Sequence, residues 1–191
     1  MMVVMGIIAI LSVLGVASWL SLKSDSVVEN AAESVLSAIN EAQNKAIAIS
    51  SDTVGAETLQ PKVWSLEINP TTKNVAFVSY EKVSSTSLAV FGREDVDNSF
   101  IKSLTSIRTG TGVSCSGSNI LYLNYSTPFG FYAADQSADN YISSGNWNEI
   151  LPVGNWKLST PLANATCITL NYQGKTRTIV IQQNGDTYVK E

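Results

Sequence analysis

The sequence predicts an α+β protein, in which a long N-terminal helix packs on an antiparallel β-sheet domain. Three observations carry that expectation. Residues 1–22 hold no charge, and residues 24–50 hold neither glycine nor proline while spacing their apolar side chains as a helix does. From residue 62 onward the hydrophobic period changes to two, the period of a half-buried strand.

The first segment reads MMVVMGIIAILSVLGVASWLSL. At about 1.5 Å per residue it is roughly 33 Å long as a helix, enough for a hydrocarbon core of about 30 Å. Its polar members, Ser12, Ser18 and Ser21, can bond back to their own helix. Trp19 stands where an indole favours the membrane interface, and Lys23 follows as the first charge. A secretory signal peptide would open on a basic stretch, which is absent, although Val16-Ala17-Ser18 offers a weak cleavage site. A buried core helix is seldom apolar on every side. The segment is therefore expected to be a membrane helix, with Met2, Val3, Val4, Ile7, Ile8, Ile10, Leu11 and Leu14 on its apolar surface.

Residues 23–50 continue without a breaker. Val28, Ala32, Val35, Ile39, Ala42, Ala46 and Ile49 step by four and three alternately, which draws one apolar stripe along a helix. Asp25, Glu29, Glu33, Asn40, Asn44 and Lys45 occupy the other side, and Glu41 with Lys45 forms a favourable i,i+4 pair. A soluble coiled coil would use the same spacing. The small members of the stripe favour packing on the domain that follows. Three regions result: 1–22 as membrane half, 23–50 as amphipathic half, and 51–191 as the β domain.

Turn chemistry at Ser51, Asp52, Thr53 and Gly55 ends the helix. In residues 62–69, Trp64, Leu66 and Ile68 alternate with Val63, Ser65 and Glu67; a turn at 70–74 and a second strand at 75–82 complete a hairpin. Further strands are expected at 87–91, 99–108, 119–124, 130–133, 166–172, 176–182 and 187–190. Asn184-Gly185 is a hairpin signal, and Gly174 marks the turn before it. Residues 135–162, punctuated by Asn, Ser, Gly and Pro, read as a surface loop.

Composition excludes much chemistry. With no histidine and two cysteines, the usual Cys/His zinc sites and the Ser-His-Asp and Cys-His mechanisms are unavailable to this chain. Twelve Lys+Arg against 16 Asp+Glu give a net charge of −4, a poor match to nucleic-acid phosphates. A hydrophobic content of 45% argues against disorder. Asp95-Val96-Asp97-Asn98 opens like a calcium loop, but Phe100 replaces the required glycine and Ser106 the bidentate glutamate. Asp135 with Asp139, the neighbours Glu94 and Asp95, and Lys175 with Arg177 are weaker still as sites. No catalytic residue, cofactor or metal ligand is assigned. Cys115 and Cys167 are an even pair that would bridge if the domain lies outside the cytoplasm; as free thiols they would serve as small apolar residues.

At the N-terminus, Met2-Val3-Val4 and Ile7-Ile8-Ala9-Ile10-Leu11 resemble the stretch that follows the glutamate in type IV pilin and type II secretion pseudopilin N-termini. The match starts in mid-motif, without the processing glycine, the methylated residue or the glutamate; a late start of the chain is the expected reason. Ala42-Gln43-Asn44-Lys45-Ala46-Ile47, Pro128-Phe129-Gly130 and the C-terminal Gly174, Arg177, Ile179, Ile181 and Gly185 are most similar to GspH/FimT-type minor pseudopilins and pilins. The resemblance implies a pilin-like fold and a structural, non-enzymatic subunit assembling through its N-terminal helix. It implies other pilin subunits, a prepilin peptidase, an inner-membrane platform and the bilayer as partners. Residence in the inner membrane, with the domain outside the cytoplasm, follows in the same way. The DNA-uptake members' basic G-R-x-R is here Gly185-Asp186-Thr187-Tyr188, so nucleic acid is not an expected partner. The alternative is a pilus-tip binding module using loop 135–162, with Tyr141, Trp147 and Trp156 as its aromatic residues.

Overall fold

A computed structural model describes residues 2–48, 52–54, 57–59, 63–82, 88–111, 115–126, 131–135, 165–182 and 185–190. Side chains are described for Val16 and for residues 19–48, 63–81, 90–110, 115–125, 165–182 and 185–190. Helix α1 (Met2–Ile47) runs unbroken for 46 residues, so the uncharged and amphipathic halves are one rod. Its seated face is wider than a single stripe. Val28, Ala32, Val35, Ile39, Ala42 and Ala46 are buried, and Ala31 and Ala38 join them, all at 3% exposure or less. Ile49 lies outside the described residues. Alanine at five of these eight positions removes the bulk that would hold the helix backbone away from the strands.

The strands form two larger antiparallel sheets, where the sequence led us to expect one. The five-stranded sheet has the order β5-β4-β3-β7-β8. It comprises β3 (Val63–Asn69), β4 (Asn74–Lys82), β5 (Leu88–Asp95), β7 (Leu121–Ser126) and β8 (Phe131–Asp135). The four-stranded sheet has the order β11-β10-β9-β6. It comprises β6 (Ser106–Thr111), β9 (Thr166–Tyr172), β10 (Lys175–Ile181) and β11 (Thr187–Lys190). A short hairpin of β1 (Asp52–Val54) and β2 (Glu57–Leu59) occupies the stretch read as a plain turn. α1 contacts β3 and β7 of one sheet and β9 and β10 of the other. One core therefore joins all three: Trp64, Leu66, Ile68, Phe77, Leu121, Leu123 and Tyr125 from the first sheet, and Ile107, Ile168, Leu170, Ile179 and Ile181 from the second. The alternation of Trp64, Leu66 and Ile68 aims that face at the helix.

The expected strand at 99–108 is corrected. Its first half is helix α2 (Ser99–Ser103), and the strand begins only at Ser106. Asn98 is the cause. Its Oδ1 accepts from Phe100 N at 2.8 Å and Ile101 N at 3.3 Å, which satisfies donors a new helix leaves open. Ile101 and Leu104, three apart, then both face the core. β5 extends further than the expected 87–91, because Arg93 and Asp95 find partners within the ladder rather than leaving it for water.

Two turns fix the strand registers around the helix. Gln173 (φ 49°) and Gly174 (φ 83°) both lie at positive φ, as the two-residue turn joining β9 to β10 requires. Asn69 Oδ1 accepts from Thr71 N and Thr72 N, closing the turn between β3 and β4. Cys115 and Cys167 are joined as a disulfide, with Cα atoms 5.7 Å apart. It holds residues 115–120 along the outer edge of β6, where Thr109 and Gly117 exchange backbone hydrogen bonds of 3.0 and 2.9 Å. Gly117 leaves room for that approach: a Cβ there would stand 2.7 Å from the Thr109 carbonyl oxygen.

Candidate functional site

The feature that organises the molecule is the seat of α1, and its limits are set by individual side chains. At the N-terminal end the first buried residue among the described side chains is Ser24. Its Oγ donates to Leu20 O at 2.6 Å and lies 3.5 Å from Gln173 Oε1 in the β9–β10 turn. One residue on, Asp25 pairs with Lys175 at 3.1 Å. Ahead of Ser24 the described side chains leave the domain: Val16, Trp19, Leu20 and Leu22 are 47–67% exposed. Lys23 Nζ stands 5.3 Å from the Trp19 ring centroid, a cation–π pair one turn apart.

Mid-helix, Ser34 Oγ accepts from Asn98 Nδ2 at 2.7 Å, so the side chain that caps α2 also ties it to α1. At the C-terminal end Lys45 is the fastening. Its ammonium stands 5.1 Å from the Trp64 ring centroid and 4.1 Å from that of Phe77. Glu41 at 3.1 Å and Glu94 at 3.4 Å supply the counter-charge. The sequence placed Lys45 on the solvated side with only Glu41 as partner; the structure moves it to the flank of the seat, over two rings of β3 and β4. No local signal revealed this, because Trp64 and Phe77 arrive from strands that only the folded chain brings together. Replacing Lys45 by Ala should lower unfolding free energy by about 1 kcal/mol, the value of a partly desolvated cation–π contact. Lys45→Arg should retain most of it; urea unfolding of both variants is the check.

Charged groups elsewhere are paired in ways that serve the sheets. Arg93 makes a two-pronged contact with the buried Glu67 carboxylate at 2.7 and 3.0 Å, and these hydrogen bonds hold the guanidinium pKa above its usual value. Asp95 takes Arg93 and Asn74, and Asp97 takes Lys102, whose hydrogen bond lowers the Asp97 pKa. The calcium-like stretch thus spends its carboxylates on neighbouring side chains. Among the described residues no group of three or more His, Cys, Asp or Glu is placed to hold a metal.

The family-like C-terminal residues divide by role. Gly174 and Gly185 take positive φ (83° and 88°) at the two turns, Ile179 and Ile181 are fully buried against the helix core, and Arg177 is half-buried on the same face of β10. The side chains of Met2, Val3, Val4, Ile7, Ile8, Ile10, Leu11 and Leu14 lie outside the described ones, as do Tyr141, Trp147 and Trp156. Among the described residues no helix is long and apolar enough to cross a membrane. The chain matches no protein-family model, no curated protein and no solved structure.

Proposed function

We propose that this chain is a structural subunit of pilin or pseudopilin type, held in a bilayer by residues 1–22 and assembled with other subunits through that segment. One observation supports this reading above the rest. The uncharged segment and the domain-bound segment are one uninterrupted helix, and among the described side chains the domain's grip on it begins at Ser24, two residues past the end of the uncharged segment. The exposed Val16, Trp19, Leu20 and Leu22 give this rod apolar surface to bury in lipid or against other helices. In this role the β domain is a load carried by the helix, with no reaction to perform. A prepilin peptidase, an inner-membrane platform and fellow subunits are the partners the sequence resemblance adds.

The test is direct. Expressed at full length in bacterial cells, the chain should sediment with membranes and resist alkaline carbonate extraction. A photoreactive residue at Leu14 should cross-link to the helices of other subunits. Release by carbonate, or adducts with lipid alone in cells that assemble filaments, would overturn the proposal.

A further inference from the structure

Of the four acids of α1, Asp25 pairs with Lys175 and Glu41 with Lys45. The exposed Glu29 and Glu33 have no hydrogen-bond or ion-pair partner among the described residues. They stand four apart on the side of the helix turned away from its seat, at a spacing where like charges repel. The strands of the four-stranded sheet carry four cations. Lys175 has Asp25, and Arg177 is engaged within the chain. The exposed Arg108 and Lys190 have no such partner among the described residues.

The strand registers put these two cations on one face. Arg108 stands opposite Thr169, Thr169 opposite Thr178, and Thr178 opposite Lys190. Residues directly opposite share a face, so the four form a row across the sheet, with the cations about 14 Å apart at its ends. The Thr169 and Thr178 hydroxyls, 3.0 Å apart, satisfy each other in the middle. Ile168, Leu170, Ile179 and Ile181 alternate with this row and are buried in the core shared with α1, so the row faces away from the helix. Asp186, four residues before Lys190, is engaged within the chain, and Glu191 lies outside the described residues.

Within one molecule the two sets of charges are kept apart, because the strands stand between them. Between two molecules they are complementary, one face acidic and the other basic. We infer that these faces form an interface between copies of this chain, in which the Glu29–Glu33 face of α1 in one copy docks on the Arg108–Lys190 row of the next. This rests on the subunit reading above and names the surfaces through which the β domains meet. The two patches differ, so the contact is heterologous. Each copy keeps one patch for a further neighbour, and the contact continues into a ring or filament instead of closing as a pair.

The experiment uses the full chain in lipid vesicles with a photoreactive residue at Thr176, which is exposed on the same face of β10 as Thr178. Adducts to α1 of another copy are expected. The double variants Glu29→Lys/Glu33→Lys and Arg108→Glu/Lys190→Glu should each lower the yield by about tenfold or more, since like charges then meet. Mixing the two variants should restore it, because the reversed helix of one then fits the reversed sheet of the other. All four positions are exposed, and an unchanged melting transition would show that the variants fold; the milder Glu33→Gln and Arg108→Gln should give partial losses. A parallel sample carries the photoreactive residue at Leu14. Leu14 adducts with a silent Thr176 would overturn the inference and leave the subunit reading standing. Silence at both would overturn both. Thr176 adducts to α1 with a silent Leu14 would support the interface and overturn assembly through residues 1–22. Thr176 adducts indifferent to both charge reversals would overturn the pairing of these faces.

Discussion

Replacing both Cys115 and Cys167 by alanine should lower the unfolding free energy by about 4 kcal/mol. The bridge closes 52 residues of chain, and the loop-entropy relation gives a penalty of that size for the unfolded state freed of it. Against a typical domain stability of about 5–15 kcal/mol this is a large fraction. The position of the bridge adds a second, local consequence. Cys167 is buried on β9, whereas Cys115 belongs to residues 115–120, which Thr109 of β6 holds by two backbone bonds to Gly117 and one from its Oγ1 to the Asn119 carbonyl. Without the disulfide that short clasp loses its covalent support. Hydrogen exchange should show the Thr109 amide losing protection first, while Ile168 and Leu170, interior to the sheet, keep theirs until global unfolding. Urea unfolding of the full chain with and without the bridge gives the global number, and a loss below about 1 kcal/mol would mean the unfolded chain gains little freedom from its removal. An intact edge at Thr109 in the alanine variant would show that the clasp needs no disulfide.

How far the sequence foretold this molecule depended on the length over which a signal persists. The stripe from Val28 to Ala46 repeats over many turns, and burial follows it residue by residue. The strand pairs β3–β4 and β9–β10 were legible because alternation and turn residues agree on both sides of each hairpin. Alternation says which face of a strand is buried but not which strands are neighbours, so two sheets sharing one helix read as one. Ser99 to Arg108 failed for a different reason. Ile101, Leu104 and Ile107 step by three, a spacing too short-lived to separate helix from strand, and the deciding signal was the cap at Asn98. Strands β1 and β2, of three residues each, are too short to show any period. Lys45 was legible as a charge but not as a clamp, since its rings belong to Trp64 and Phe77, both beyond the end of the helix.

The uneven composition of the seat leads to the second large effect. Truncating Ile39 to Ala should cost about 3 kcal/mol, within the range of about 2–5 kcal/mol for deleting a buried Ile side chain to the β-carbon. Where in that range it falls depends on how well the site can close up. Five of the eight buried apolar positions from Val28 to Ala46 are already alanine, and Ile39, 1% exposed, is the largest side chain among them. Elsewhere along the seat, the helix presents alanine or the shorter Val28 and Val35. At Ile39 the helix itself supplies the projecting group. Removing it cannot be answered by a closer approach of α1, because Ala38 and Ala42 on either side already bring the backbone in, both at 3% exposure or less. The cavity should therefore persist, and the loss should exceed that expected from the missing methylenes alone. Ile47→Ala serves as the control: the same chemical change at a side chain 50% exposed should move stability by less than about 0.5 kcal/mol. The effect should also be visible at both ends of the seat. A helix loosened at its centre should show faster hydrogen exchange at Val35 and Ala42 and a weakened Asp25–Lys175 contact, whereas Trp19 and Lys23, ahead of the seat, should be unaffected. Equal losses from Ile39→Ala and Ile47→Ala would mean that the helix is not held by this face.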